Sequence, residues 1–120
     1  MKVIINTEFI DGDSVTKIDT TGILENNKIL KFLDGKTKVR LDLENNSLKR
    51  ENDEVSFEYK FIENEKTLNG VLVNELGLEA YVSIFTESIL KNDNSYFVSY
   101  RLVDEENKRI EYRIFWRCLL

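Results

Sequence analysis

Histidine and proline are absent from this 120-residue chain, and cysteine occurs once. Without histidine there is no Ser–His or Cys–His nucleophile pair, and the commonest zinc ligand and the commonest general base near neutral pH are missing. The five glycines are isolated, so the chain has no glycine-rich phosphate loop. These absences predict a protein that is not an enzyme and that holds no metal ion and no cofactor.

The single cysteine and the lack of long apolar runs bear on the compartment. Cys118 cannot form an intramolecular disulfide, which is typical of a reducing compartment, and we expect its thiol to be buried and inert. The N-terminal apolar run spans only Val3 to Ile5, and no stretch approaches the roughly 20 apolar residues that a membrane-spanning helix needs. The sequence therefore predicts a cytoplasmic protein that is not in a membrane.

Length and composition indicate one globular domain, residues 1–120. Hydrophobic residues make up 42% of the chain and charged residues 32%, which is ordinary for a folded protein and unlike a disordered one. A chain of this length can bury a core without disulfides or metal ions.

The charge balance argues against a dedicated nucleic-acid-binding protein, because the net charge is −5. Two basic clusters interrupt this average: Lys28, Lys31, Lys36, Lys38 and Arg40, and then Lys108, Arg109, Arg113 and Arg117. The simpler interpretation is cross-strand pairing with acids such as Glu54 and Glu58. The alternative is weak, salt-sensitive nucleic-acid binding. It requires that five cations lie on the same face of the barrel: Lys36, Lys38, Arg40, Arg113 and Arg117.

Almost every segment alternates polar and apolar residues, which is typical of β-strands. In EVSFEYKFI (54–62), for example, Val55, Phe57, Tyr59 and Phe61 share one face. Asp34-Gly35 is a hairpin signal, and Gly70 suggests a bulge or bend. Residues 86–91 could form a helical turn instead of a strand.

The pattern predicts an all-β fold, a single antiparallel up-and-down barrel of eight to ten strands. Short hairpin connections favour consecutive pairing, and closure removes exposed strand edges in a chain that has no proline to protect them. A two-sheet sandwich is the alternative.

Several motifs resemble those of a known family. They are Thr37-Lys38-Val39-Arg40-Leu41, Val55-Ser56-Phe57-Glu58-Tyr59, Gly77 before a long strand that reaches Thr86, and Ser99-Tyr100-Arg101-Leu102. Together they resemble the YwiB-like proteins, small uncharacterised bacterial barrels grouped with the calycins. The resemblance implies a closed or nearly closed barrel of the lipocalin type and transfers no catalytic residue.

Polar-tipped aromatic residues are frequent on the predicted inner face. Tyr59, Tyr100, Tyr112 and Trp116 all fall on the apolar parity of their strands. Each buried hydroxyl or indole N–H needs a hydrogen-bond partner, which the neighbouring aliphatic side chains cannot provide. We therefore predict that these four residues line a pocket for a small apolar or amphipathic ligand. The alternative is a filled interior with the hydroxyls at the barrel mouths.

A second function is consistent with the pattern, that of a non-enzymatic scaffold. Ile4, Phe97 and Phe115 lie off the core parity and could form an outer apolar patch. Such a patch would serve self-association, for example as a homodimer, or contact with a protein partner. The sequence does not fix the oligomeric state.

Overall fold

The computed structural model describes residues 1–119, and they form an all-β barrel without a helix. The ten strands are β1 (Lys2–Asp11), β2 (Ser14–Glu25), β3 (Ile29–Asp34), β4 (Thr37–Asp42), β5 (Ser47–Glu51), β6 (Val55–Lys60), β7 (Lys66–Val73), β8 (Leu78–Asn92), β9 (Ser95–Leu102) and β10 (Lys108–Cys118). None of the described residues belongs to a helix long and apolar enough to cross a membrane.

The strands follow one another around the barrel in chain order. Each strand pairs antiparallel with the next, and β1 also pairs with β10, with Ile5 opposite Trp116. The predicted up-and-down barrel is thus confirmed with ten strands, and the sheet does not split into a sandwich. Strong alternation along the strands explains this result, because every strand offers one apolar face to a shared interior.

The barrel has two ends that differ in burial. The "Gly35 end" carries the turns after the odd-numbered strands, including the Asp34–Thr37 hairpin, in which Gly35 has a φ of 61°. The "Met1 end" carries both chain ends and the other turns. Near the Met1 end the inward side chains are almost fully buried, among them Val3, Ile5, Leu30, Leu41, Leu48, Phe61 and Ile84. Near the Gly35 end many inward side chains are only half-buried.

Two local predictions require correction. Residues 86–91 are part of β8 and not a helical turn, although the register shifts between Thr86 and Ser88 as in a β-bulge. Gly70 pairs regularly with Tyr81 and marks no bulge. The glycine that the fold requires is Gly22 instead, because a Cβ there would collide with the Lys31 carbonyl oxygen and the Ile5 side chain.

The expectation of a buried thiol at Cys118 is wrong. Cys118 is exposed, and its Sγ lies 3.3 Å from the Met1 Sδ. Cys118 does have the inward parity of β10, since it lies opposite the inward residue Val3. It is exposed because it is the last residue of β10 and lies at the rim of the Met1 end. Parity alone did not show where the barrel stops.

Candidate functional site

Three of the four predicted pocket residues lie close together on the inner face. Tyr59 on β6 is half-buried, Tyr100 on β9 is 2% exposed and Tyr112 on β10 is buried. The Tyr59 and Tyr100 rings meet edge to face, and the Tyr100 ring lies 5.3 Å from that of Phe61, centroid to centroid. These contacts form an aromatic floor halfway along the barrel.

The fourth predicted residue, Trp116, lies elsewhere. It follows Tyr112 by four residues on β10, which places it roughly 13 Å away towards the Met1 end. There it borders a depression of about 410 Å³ together with Leu24, Leu43 and Lys91. The structure therefore does not bring Trp116 together with the three tyrosines.

Above the floor, towards the Gly35 end, half-buried aromatic rings line the interior. Phe57 stacks against Tyr59 at 4.4 Å, and Phe9 packs against Tyr112 at 4.7 Å, both between ring centroids. Both phenylalanines keep part of their surface open to solvent. We call this region "the mouth", defined by Phe9, Asp34, Arg50, Phe57 and Tyr59.

The mouth contains an ion pair that the sequence analysis missed. Arg50 faces inward from β5, and its Nη2 donates to the Asp34 Oδ2 at 2.7 Å. The two side chains are 20% and 24% exposed. A regular β5 predicts this direction, because Leu48 is inward and Arg50 has the same parity. The signal is weak because β5 has only five residues, most of them polar.

Arg50 also interacts with Tyr112. Burial lowers the pKa of the Arg50 guanidinium, but the nearby Tyr112 and Asp34 raise it overall, so the group stays charged. For Tyr112, burial raises the pKa of the hydroxyl and the Arg50 charge opposes this shift. A permanent cation thus lies beside a protonated phenol at the edge of the floor.

The other two tyrosines are also held in the neutral form. Burial raises the pKa of Tyr59 and raises the pKa of Tyr100 well above its ordinary value. Neutral hydroxyls can donate a hydrogen bond to an oxygen acceptor. Near them, the inward hydroxyls of Thr7 and Thr86 are buried, and Thr86 is directly opposite Tyr100. These two hydroxyls have no hydrogen-bond partner among the described residues.

The basic clusters follow the acid-pairing interpretation in part, since Lys28 pairs with Glu44, Lys31 with Glu25 and Lys108 with Asp11. On β10, Arg109 and Arg113 pair with Glu111, in line with acid pairing. On β3 to β5, Lys31, Arg40 and Lys49 instead lie opposite one another. The five cations considered for nucleic-acid binding do not share a face, because β1, β2 and β3 separate β10 from β4.

Ile4, Phe97 and Phe115 do lie on neighbouring strands of the outer face, as their parity predicts. Phe115 is 47% exposed and lies opposite Asn6, the next outward residue after Ile4. Phe97 is opposite the exposed Leu90 of β8. Apolar side chains are thus diagonal neighbours across four strands, from β8 to β1, with the Arg113 guanidinium 5.5 Å from the centroid of the Phe97 ring.

No group of three or more potential metal ligands forms within residues 1–119.

Comparisons with known proteins bear on the fold. No protein-family model and no curated protein sequence matches the chain. Among solved structures, it is similar to the ywiB protein from Bacillus subtilis, with a TM-score of 0.67. The match covers 99% of this chain and 91% of that chain at 16% sequence identity. At this identity the likeness establishes a shared fold, and the chain therefore has a YwiB-like barrel fold.

Proposed function

We propose that this barrel binds a small amphipathic molecule in the mouth. The observation that carries the proposal is the inward direction of Arg50, which brings a charged donor among half-buried aromatic rings. The apolar part of the ligand would contact Phe57 and Tyr59, and an oxygen of its polar end would face Arg50. Pockets with apolar walls and a few placed polar groups are typical of small-molecule sites.

The stability of the barrel does not explain the inward ion pair. A partly buried pair costs desolvation free energy, and apolar residues of similar size often stabilise a protein equally well. The Arg50–Asp34 pair is nevertheless placed where solvent, and hence a ligand, can reach it. A carboxylate ligand would replace Asp34 as the acceptor on Arg50, while a carbonyl or hydroxyl oxygen would share the guanidinium with it.

The experiment compares a carboxylate with a neutral analogue. Calorimetric titration with decanoate should show binding that weakens at least fivefold in Arg50→Gln, with a smaller change for 1-decanol. Arg113→Gln removes the same charge from the outer face of β10 and should bind like the wild type. Equal affinity of wild type and Arg50→Gln for decanoate would contradict the proposal.

The apolar side chains of the outer face support a second candidate function, self-association. Leu90 is 62% exposed and lies opposite Phe97, and exposed apolar patches often mark contact sites. Light scattering over a concentration series should then show a dimer that dissociates in Phe115→Ser. A monomer at all concentrations would remove this candidate.

For the setting of this function we propose a bacterial cytoplasm and a calycin-like binding barrel. The exposed free thiol of Cys118 supports a reducing compartment. The likeness to a barrel from Bacillus subtilis supports the bacterial origin.

A further inference from the structure

A groove crosses the outer face of the wall from β2 to β5. Its volume of about 760 Å³ is in the range of small-molecule sites. Five cationic residues and one acidic residue line it: Lys2, Lys31, Lys38, Arg40, Lys49 and Glu51. This face is positive in a chain whose net charge is −5.

The centre of the groove is a row of three cations. Lys31 of β3 is directly opposite Arg40 of β4, which is directly opposite Lys49 of β5. Directly opposed like charges destabilise a sheet, and opposite charges are the favourable arrangement. An anion bound across the row would relieve this repulsion.

Acids lie beside both ends of this row, whereas its centre forms no ion pair among the described residues. Lys31 donates to Glu25 at 3.0 Å, and Glu58 is opposite Lys49 on β6. Within residues 1–119, no carboxylate lies within 4 Å of Arg40. Asp42, the next outward residue on β4, accepts hydrogen bonds from its own turn, and its charge interacts with that of Arg40 without forming an ion pair. Arg40 is thus the group best placed to receive an anion.

Exposed aliphatic side chains border the cations. Ile23 is 48% exposed and lies opposite Lys31, and Leu33 is 55% exposed and lies opposite Lys38. Leu119 lines the same groove. A ligand that satisfies both features carries an anionic group and an apolar body.

We propose that this groove binds a small organic phosphate, a phosphate or diphosphate ester with an apolar body. A phosphate carries more charge than a single carboxylate, matching several converging cations, and arginine suits its oxygens. The concave shape fits one small molecule better than a flat bilayer or the convex surface of duplex DNA. Single-stranded nucleic acid would need exposed aromatic rings for stacking, and the aromatic residue that lines the groove, Phe32, is buried.

This site is independent of the mouth. Arg40 and Lys49 face outward, whereas Arg50 faces inward from the same strand as Lys49. The wall of the barrel separates the two sites, so either can exist without the other.

The test uses octyl phosphate below its micelle concentration, with inorganic phosphate and 1-octanol for comparison. Calorimetry should show octyl phosphate binding at least tenfold more tightly than inorganic phosphate. The double variant Arg40→Gln/Lys49→Gln should lose at least tenfold in affinity. Arg113→Gln/Arg117→Gln carries the same change in net charge on β10 and should bind like the wild type, as should Arg50→Gln.

Amide chemical-shift mapping reports the location directly and also shows that each variant is folded. Octyl phosphate should shift amides of β3, β4 and β5 around Lys31, Arg40 and Lys49. Absence of binding, equal affinity for inorganic phosphate, or an equal loss in both double variants would overturn the proposal. Loss of binding in Arg50→Gln alone would also overturn it, since the ligand would then occupy the mouth.

Discussion

The Tyr59 ring meets the Tyr100 ring edge to face, with their centroids 5.9 Å apart. Tyr59 belongs to β6 and Tyr100 to β9, so this contact crosses the interior and passes over two intervening strands of the wall. It joins a half-buried ring of the mouth to a ring of the buried floor. These two side chains therefore mark the boundary between the half-buried mouth and the buried floor.

Removing the Tyr100 hydroxyl tests whether it contacts a ligand. Tyr100→Phe should weaken decanoate binding roughly twofold to tenfold, because one hydrogen bond contributes about 0.5–1.5 kcal/mol. The thermal midpoint should stay close to that of the wild type, since no side chain or backbone group within residues 1–119 forms a hydrogen bond with this hydroxyl. Unchanged affinity, measured by calorimetry, would show that the ligand stops above the floor.

Alkaline pH should destabilise the barrel through its buried tyrosines. Burial raises the folded-state pKa of Tyr59, Tyr100 and Tyr112, whereas unfolded tyrosine titrates near about 10. Their contribution to stability is thus complete below about pH 10 and is lost as the pH rises through the folded pKa values. Urea unfolding between pH 8 and pH 11 should show a falling free energy of unfolding. Tyr100→Phe, which cannot ionise at that position, should show a shallower fall.

Gly22 and Gly70 form a matched pair for substitution by alanine. At Gly22 a Cβ would collide with the Lys31 carbonyl oxygen, so Gly22→Ala should cost about 1–3 kcal/mol or more in the free energy of unfolding. At Gly70 the nearest atom is the flexible end of Glu79 at 3.7 Å, so Gly70→Ala should be neutral or stabilise by up to about 1 kcal/mol. Urea denaturation measures both, and equal effects would contradict the role of Gly22.

Asp42 closes the turn between β4 and β5. Its carboxylate accepts from the backbone N–H groups of Asn45 at 3.0 Å and Glu44 at 3.1 Å, and the Asn45 side-chain amide donates to it as well. The Asn45 backbone N–H is the largest cause that lowers the pKa of Asp42. Asp42→Ala should therefore cost about 1–2 kcal/mol at pH 7.

The same turn predicts a pH dependence. A lowered folded-state pKa gives stability that is present above the unfolded pKa of about 3.9 and lost as the pH falls through the folded pKa. The difference in unfolding free energy between the wild type and Asp42→Ala should shrink from pH 7 to pH 3. A constant difference would show that the charge of Asp42 does not matter.

Strand alternation was sufficient to predict the fold. The alternation of polar and apolar residues within each strand shows which side chains face inward, and the Asp34-Gly35 turn fixes the register of β3 and β4. Consecutive pairing and closure of the barrel therefore follow from short-range patterns. The sequence predicts only a range of eight to ten strands, because short polar strands such as β5 (Ser47–Glu51) show little alternation of polar and apolar residues.

The candidate site was only partly predictable. Inward parity correctly grouped Tyr59, Tyr100 and Tyr112 on the interior, but parity contains no information about height along the barrel, which separates them from Trp116. Arg50 was missed because a charged residue is normally assigned to the outer face. The row of Lys31, Arg40 and Lys49 is not predictable in the same way. Whether Arg40 lies opposite Lys49 depends on the pairing register of β4 and β5, and a single sequence does not give that register.

The pairing of β1 with β10 has a consequence for how the chain folds. Nine of the strand pairs join neighbours along the chain, whereas this seam joins residues more than 100 positions apart, such as Ile5 and Trp116. Closing so long a loop costs about 2 kcal/mol more in chain entropy than closing a ten-residue hairpin. Seam formation should therefore be a late, slow step, and before it both outer strands present open edges. The folded barrel is closed and has no free strand edge within residues 1–119. The chain is consequently most exposed to strand pairing with other molecules just before β1 and β10 pair.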